Sequence, residues 1–172
     1  MTSRLLVDKI EGKTAASTVQ MPSGHVVQVI TATSGDGSAI TATTTTWVSG
    51  GAESEVSITP KFNNSKILVI CDLNVDHKDT DNRGMFSLFK SVNGGSYANV
   101  QSTNAGGRDS LVRVHDLGER ILLNQTMVFH ETVNSTNNIK YRAYVRSEIA
   151  NESIGIRNDL TPLQIIAMEI AQ

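Results

Sequence analysis

The chain has 172 residues and carries 15 Lys and Arg against 17 Asp and Glu, a formal net charge of −2 at neutral pH. This length is enough for one globular domain with its own core and a short attachment segment, but not for two full domains. A near-neutral chain lacks the basic surplus that binding to phosphate backbones requires, and no apolar stretch approaches the roughly 20 residues of a membrane-spanning helix. Nucleic acid and membranes are therefore excluded as expected partners.

The first 24 residues differ in character from the rest and are interpreted as an N-terminal docking arm. Two charged residues cut short the apolar run Leu5-Leu6-Val7, so this segment lacks the apolar core of a signal peptide. The phrase Met21-Pro22-Ser23-Gly24 is typical of a turn. We divide the chain into an arm over residues 1–24 and a domain over residues 25–172, and we expect the protein to be made in a cytoplasm.

From residue 25 onward the apolar residues alternate with polar ones or come in short blocks, which is typical of β-strands. Strands are predicted around Val26–Thr31, Ser54–Ile58, Ile67–Val75, Met85–Val92, Asp109–Val114, Arg120–Leu123, Met127–Val133, Ile139–Arg146, Glu152–Arg157 and Leu163–Ile170. The Thr-, Ser- and Gly-rich stretch 31–51 is compatible with an exposed edge, a long loop or a disordered linker. This number of short strands predicts an all-β protein with an antiparallel β-sandwich, most simply a jelly roll.

Two pairs of these strands are predicted to form hairpins. The loop Asn134–Asn138 would join Met127–Val133 to Ile139–Arg146. An acidic loop near Asp79 would join the strand that begins at Ile67 to the strand Met85–Val92.

Cys71 is the only cysteine of the chain. It cannot form an intrachain disulfide, and it stands in an apolar run. We therefore predict a small buried hydrophobic residue at this position.

The last predicted strand is apolar on both faces, whereas a strand of an antiparallel sandwich normally keeps one face in water. A subunit interface about a symmetry axis would cover the second face. The alternative is that the N-terminal segment folds back over it. The predicted interface residues, which include both faces of the strand, are Leu163, Ile165, Ile166, Met168 and Ile170.

No pattern in the sequence indicates a catalytic or metal site. Asp79, Asp81 and Gly84 partly match an EF-hand loop, but Arg83 and Lys90 stand where that loop needs oxygen ligands. The histidines lack the spacing of a zinc site, and nucleophile-elbow, P-loop and dinucleotide motifs are absent. We expect a protein that is not an enzyme and holds no cofactor, although a looser calcium site shared between subunits and paired carboxylates for glycan cleavage remain open.

Several segments, taken in order, resemble the C-terminal jelly-roll domains of phage tail fibres and related head and tail appendage proteins. The segments that carry the resemblance are Val56-Ser57-Ile58-Thr59-Pro60, Ser65-Lys66-Ile67-Leu68-Val69, Phe86-Ser87-Leu88-Phe89-Lys90, Ile139-Lys140-Tyr141-Arg142-Ala143 and Ala167-Met168-Glu169-Ile170. Val7–Ile10 and Met21–Gln28 are also similar to the beginnings of phage virion proteins. The resemblance implies a structural protein of the virion that forms a homotrimer.

The resemblance implies host attachment, as a short tail fibre or a fibre tip. Long fibres carry a shaft of repeats, and none is present here, so a capsid decoration, cement or head-fibre protein is the alternative. A polysaccharide-cleaving tailspike is a weaker one. The expected partners are further copies of this chain, another virion protein bound through the arm, and a host surface glycan or protein.

Loops at the ends of a rigid sandwich are where binding residues usually gather. The candidate loops are Asp76–Gly84, Gly94–Arg108 and Asn134–Asn138. Tyr97 and Arg108 are residue types that stack on or clamp a glycan or an acidic ligand. The predicted ligand-binding residues all lie in the first two of these loops. They are His77, Asp79, Asp81, Arg83, Tyr97 and Arg108. The alternative is that these loops are merely solvated.

Overall fold

The computed structural model describes residues 22–34, 39–77, 83–101, 109–115, 120–157, 159 and 161–172. Within these ranges the chain forms twelve strands and one 3-10 turn, Ala52–Ser54. The strands are β1 Val26–Thr33, β2 Ile40–Ala42, β3 Val48–Ser49, β4 Glu55–Ile58, β5 Lys66–His77, β6 Arg83–Val92, β7 Ala98–Asn99, β8 Val112–His115, β9 Ile121–Thr132, β10 Ile139–Ser147, β11 Ile154–Ile156 and β12 Gln164–Ile170. In this part of the chain no helix is long and apolar enough to cross a membrane. Residues 1–21 of the predicted arm lie outside the described ranges.

The strands form two six-stranded antiparallel sheets that pack as a jelly-roll-like sandwich. Sheet A has the order β1-β12-β5-β11-β2, with β9 paired to β5 as well. Sheet B has the order β3-β10-β6-β7, with β4 paired to β10 and β8 paired to β6. The predicted fold class, an all-β antiparallel sandwich of the jelly-roll type, is confirmed.

The core lies between the two sheets and is built from alternate residues of the long strands. In β5 the inward residues Ile67, Val69 and Cys71 are fully buried. Tyr141 and Ala143 of β10 are buried opposite them in sheet B and belong to the same core cluster. The alternation in the sequence therefore identified the inward faces of these strands correctly, since successive side chains of a strand point to opposite sides of the sheet.

Both predicted hairpins are wrong. β9 pairs with β5 in sheet A along twelve residues, from Lys66 opposite Thr132 to His77 opposite Ile121. β10 pairs with β6 in sheet B along nine residues. Each predicted hairpin therefore crosses from one sheet to the other, because an alternating pattern shows that a strand has one buried face but does not show which strand it pairs with.

The Thr-rich stretch 31–51 contributes short edge strands. β1 ends at Thr33, and β2 and β3 each lie at the end of their sheet. The turn between β2 and β3 is held by hydrogen bonds, in which the backbone N–H groups of Ser147 and Asn151 donate to the carbonyl oxygens of Thr44 and Thr43. Residues 35–38 lie outside the described ranges.

Cys71 is fully buried, as predicted, and burial raises the pKa of its thiol well above the usual range. The thiolate is the reactive form, so the folded protein protects this group from alkylation. We expect iodoacetamide at mildly alkaline pH to modify Cys71 at the rate at which the protein unfolds, and rapidly in denaturant. Mass spectrometry of the intact chain measures both rates, and equally fast modification of the folded protein would contradict the buried position.

One buried carboxylate joins the last strand, β12, to the turn between β4 and β5. Glu169 of β12 points into the sandwich and is fully buried. Its oxygens accept hydrogen bonds from the backbone N–H groups of Lys61, at 2.8 and 2.9 Å, and Phe62, at 3.1 Å. They also accept hydrogen bonds from Ser65 Oγ and from Gln28 Nε2, both at 2.6 Å. The last strand therefore fixes the turn that leads from β4 into β5.

Candidate functional site

The structure places the predicted ligand-binding residues in different environments. His77 is wrong as a loop-tip residue, because β5 continues to this position and the side chain is fully buried. Arg83 is exposed at the start of β6 and forms an ion pair with Glu148 at 2.8 Å. Asp79, Asp81 and Arg108 lie outside the described residues. Tyr97 is half-buried just before β7, on the outer surface of sheet B.

Asp76, the first residue of a candidate loop, is part of β5 and is fully buried. Both of its oxygens accept hydrogen bonds from the Arg120 guanidinium, at 2.8 and 2.9 Å. Arg157 also donates to it at 2.9 Å and is held in turn by Asp159. The carboxylate therefore ties β5 to the segments that follow β8 and β11, which is a structural role.

Tyr97 belongs to a row of four aromatic rings on the outer face of sheet B. The Trp47 and Phe89 rings meet edge to face with centroids 5.4 Å apart, and the Phe89 and Tyr144 rings stack at 4.0 Å. The Tyr97 ring lies 6.2 Å from that of Tyr144. Trp47, Tyr97 and Tyr144 are half-buried, so the row is partly open to solvent.

Two guanidinium groups cover the ends of this row. Arg142 lies over the Tyr97 ring at 4.3 Å, and Arg146 lies over the Trp47 ring at 5.1 Å. Cations over aromatic faces are attracted by the ring quadrupole. We call the four rings and these two arginines the aromatic cluster.

Two carboxylates hold the cluster in place. Glu55 forms ion pairs with Arg142 at 2.7 Å and with Lys140 at 2.9 Å, and it accepts a hydrogen bond from the Tyr97 hydroxyl. Asp109 binds Arg146 at 2.8 Å and accepts a hydrogen bond from Trp47 Nε1 at 3.2 Å. The Tyr97 hydroxyl and the Trp47 Nε1–H group are therefore each held by a carboxylate.

The cluster also shifts the protonation equilibria of its members. Burial raises the pKa of Glu55, but hydrogen bonds from Tyr97, Lys140 and Arg142 outweigh it, and the net pKa lies below its usual value. Burial and the Glu55 charge raise the pKa of Tyr97 to about 12. At neutral pH Glu55 is therefore an anion and Tyr97 a neutral hydrogen-bond donor.

The sequence indicated two parts of this cluster, Tyr97 as a candidate ligand-binding residue and the polar face of β10. In β10 the sequence alternates, which predicts one buried face with Ile139, Tyr141, Ala143 and Val145 and one wet face with Lys140, Arg142, Tyr144 and Arg146. The structure confirms this division between the two faces. Trp47, Glu55 and Asp109 reach the same face from distant parts of the chain, so no local pattern could join them. In the described part of the chain no group of three or more His, Cys, Asp or Glu residues is placed to hold a metal ion.

The outer face of sheet A has a different character. Residues directly opposite each other in antiparallel strands share a face, and the pairing places Val29, Met168 and Leu68 in one row across three strands. The neighbouring row contains Ile166, Ile70 and Val128. The apolar face, as we call it, comprises the aliphatic residues Val26, Val29, Leu68, Ile70, Val128, Ile166, Met168 and Ile170.

Three members of the apolar face are at least half exposed: Val26 at 51%, Val29 at 50% and Val128 at 55%. The next row toward the other end of the sheet is polar and contains Asp72 and Gln164. Aliphatic side chains are thus concentrated at one end of this surface, where the polar residues in the same rows include Lys66, His130 and Thr31. Contiguous exposed apolar surface of this kind marks interaction sites in soluble proteins.

The structure divides the five predicted interface residues between two locations. Leu163 and Ile165 are fully buried in the core of the single chain and have no surface to offer a partner. Ile166, Met168 and Ile170 are half-buried on the outer face of sheet A. The interface prediction is therefore kept for these three residues alone.

No protein-family model matches the sequence, and no curated protein matches it significantly. Among solved structures, this chain is similar to a chain in the structure of the infectious bursal disease virus Gt strain, with 12% identity and a TM-score of 0.42. It is also similar to the infectious bursal disease virus VP2 subviral particle, with 11% identity and a TM-score of 0.41. Both alignments cover 100% of this chain but only 43% and 42% of the others. The chain thus spans less than half the length of the two chains that it matches.

Proposed function

We propose that the protein is a non-enzymatic structural component of a phage particle, which assembles as a homotrimer and acts in host attachment as a short tail fibre or fibre tip. The sequence resemblance to appendage proteins suggests the class of particle. The apolar face is the single observation that carries the assembly, because it adds a second aliphatic surface to a sandwich whose core is already complete.

The position of the apolar face favours burial by further copies of the same chain. Val29 and Val26 lie on the edge strand β1, Met168 lies on β12, Leu68 lies on β5 and Val128 lies on β9. The face thus extends across four neighbouring strands, from one edge of the sheet to the other. A symmetric assembly buries such a surface in every subunit at once.

The assembly is tested first by the native mass of the full chain in solution. We expect a species with three times the mass of one chain that persists on dilution. A stable monomer would contradict the trimer and would mean that the apolar face is covered from within the chain or by another virion protein.

Host attachment is tested separately, by binding of the labelled protein to susceptible and resistant cells. Binding to susceptible cells alone supports a fibre or fibre tip.

The second candidate, a capsid decoration or head-fibre protein, predicts many copies per particle and no binding to cells. Quantitative mass spectrometry of purified particles measures the copy number. A trimer that is absent from particles would overturn both candidates.

A further inference from the structure

We propose that the aromatic cluster binds acidic saccharides, with a pyranose ring lying against the partly exposed aromatic rings and its carboxylate bound by the cationic side chains beside them. This inference rests on host attachment for its biological role, and it names the ligand class and the surface that takes it.

The distribution of aromatic residues is the first argument. The chain has eight aromatic residues, one Trp, three Tyr and four Phe. Four of them form the row on the outer face of sheet B, although the core closes without them. Three of the four, Trp47, Tyr97 and Tyr144, are partly exposed, whereas Phe89 is buried against Trp47 and Tyr144. Partly exposed rings are typical of binding surfaces, where they supply contact area at low entropic cost.

The rings are also held in place before any ligand arrives. Trp47 is fixed by its hydrogen bond to Asp109, and Tyr97 is fixed by its hydrogen bond to Glu55. Phe89 stacks on Tyr144 between them. A rigid row of rings loses little side-chain entropy when a ligand binds. One face of a pyranose presents C–H groups that suit an aromatic ring, while its hydroxyl groups need the polar partners that the cluster supplies.

The charges indicate an acidic ligand. Three cations, Lys140, Arg142 and Arg146, stand beside two carboxylates, Glu55 and Asp109, which leaves one positive charge in excess. The Lys140 side chain is 40% exposed, so its ammonium group keeps donors directed to solvent. A single carboxylate balances this excess, whereas the chain as a whole, at −2, repels a polyanion such as nucleic acid.

The location of the cluster leaves it accessible in the proposed assembly. The apolar face lies on the outer side of sheet A, and the aromatic cluster lies on the outer side of sheet B. The two surfaces are separated by the thickness of the sandwich. A trimer that buries the first surface therefore presents three copies of the second, which raises the avidity for a repeating surface glycan.

Trp47 makes the test direct, because it is the only tryptophan of the chain and lies in the cluster. The full-length protein is titrated with two acidic probes, an oligogalacturonate and sialyllactose, while tryptophan emission is recorded. Their neutral counterparts are the methyl-esterified oligogalacturonate and lactose. We expect at least one acidic probe to change the emission, and its neutral counterpart to bind about tenfold more weakly or worse.

Two variants separate stacking from charge. Tyr97→Ala removes one ring and is expected to weaken binding of the acidic probe about tenfold or more, the usual value of one stacked ring. Lys140→Gln leaves the rings in place and is expected to narrow the difference between the acidic probe and its neutral counterpart. Leu122→Ala changes an exposed residue on sheet A and is the matched control, with affinity unchanged. Thermal unfolding of each variant verifies the fold.

Absence of an emission change with both acidic probes, together with absence of binding by calorimetry, would overturn the proposal. Equal affinity for the acidic and neutral probes would overturn the acidic ligand class. A trimer that attaches to cells but ignores both acidic probes would overturn the ligand and leave the proposed function standing. A monomer that binds an acidic probe would support the ligand and overturn the proposed trimer.

Discussion

Replacing Glu169 by Gln should lower the free energy of unfolding at neutral pH by about 3 kcal/mol, which corresponds to a fall in melting temperature of roughly 6 to 12 °C for a chain of this size. The carboxylate accepts hydrogen bonds from two backbone N–H groups and two side chains in a fully buried position. An amide turns one acceptor into a donor that faces other donors. The loss therefore includes the cost of leaving buried N–H groups without partners.

The same variant should show a specific pH dependence. Burial raises the pKa of Glu169, but the hydrogen bonds from Ser65, Lys61, Gln28 and Phe62 outweigh it and bring the pKa below the usual value of 4.5. The carboxylate therefore stabilises the folded protein fully above that pH. This stabilisation is lost as the pH falls from 4.5 through the lowered pKa of the folded state. The difference between the parent and Glu169→Gln should shrink over this range.

Chemical unfolding at a series of pH values measures this difference. Glu53→Gln is the matched control, because Glu53 is exposed in the 3-10 turn, and we expect its effect to stay within about 0.5 kcal/mol at every pH. A difference between the parent and Glu169→Gln that is small, or that stays constant down to acidic pH, would show that the carboxylate is not the anchor of the β4–β5 turn.

The contact made by Glu169 is one that the sequence could not predict. The segments that carry the resemblance include Val56–Pro60 with Ser65–Val69 and, far along the chain, the ending Ala167–Ile170. The resemblance gave no physical reason for their occurring together. The structure supplies one, since the Glu169 carboxylate of the second segment binds Ser65 of the first. This contact joins residues 104 positions apart. Periodicity within a strand carries no information about such a partner.

The inward and outward faces of single strands were predictable, because a period of two residues follows from strand geometry alone. In β10 the residues predicted to face one way, among them Tyr141 and Val145, are buried, and Arg142 on the other face is half-buried. The pairing of strands was not predictable by this means. Two strands that share a sheet and two strands that face each other across the core have the same alternating pattern.

The same limit applies to the candidate site: single residues could be predicted, but the contacts between them could not. Tyr97 was singled out for its chemistry, and the structure brings it together with Arg142, which lies on a strand 45 positions away. Because His77 continues the inward register of β5, it could have been assigned to the core by extending the alternation by one more step. Interactions that depend on which strands are neighbours could be read only from the fold.

Replacing Met168 by Asp should convert the proposed trimer into monomers at concentrations where the parent protein is assembled. Met168 lies at the centre of the apolar face, between Val29 and Leu68. In the proposed interface the new carboxylate would be buried without a partner, at a cost of about 3 kcal/mol or more in each subunit. In the single chain the same side chain stays in contact with water, so the fold itself should lose much less.

Native mass spectrometry and thermal unfolding of matched variants separate assembly from folding. Thr33→Asp places the same charge on the polar end of the same surface and should leave the trimer intact. Val128→Asp changes an exposed member of the apolar face and should dissociate the trimer without unfolding the chain. Ile165→Ala, on the opposite face of β12, should lower the stability by roughly 2 to 5 kcal/mol through a cavity in the core. A Met168→Asp protein that remains trimeric would place the interface elsewhere, since a buried unpaired charge and a stable contact cannot occupy the same surface.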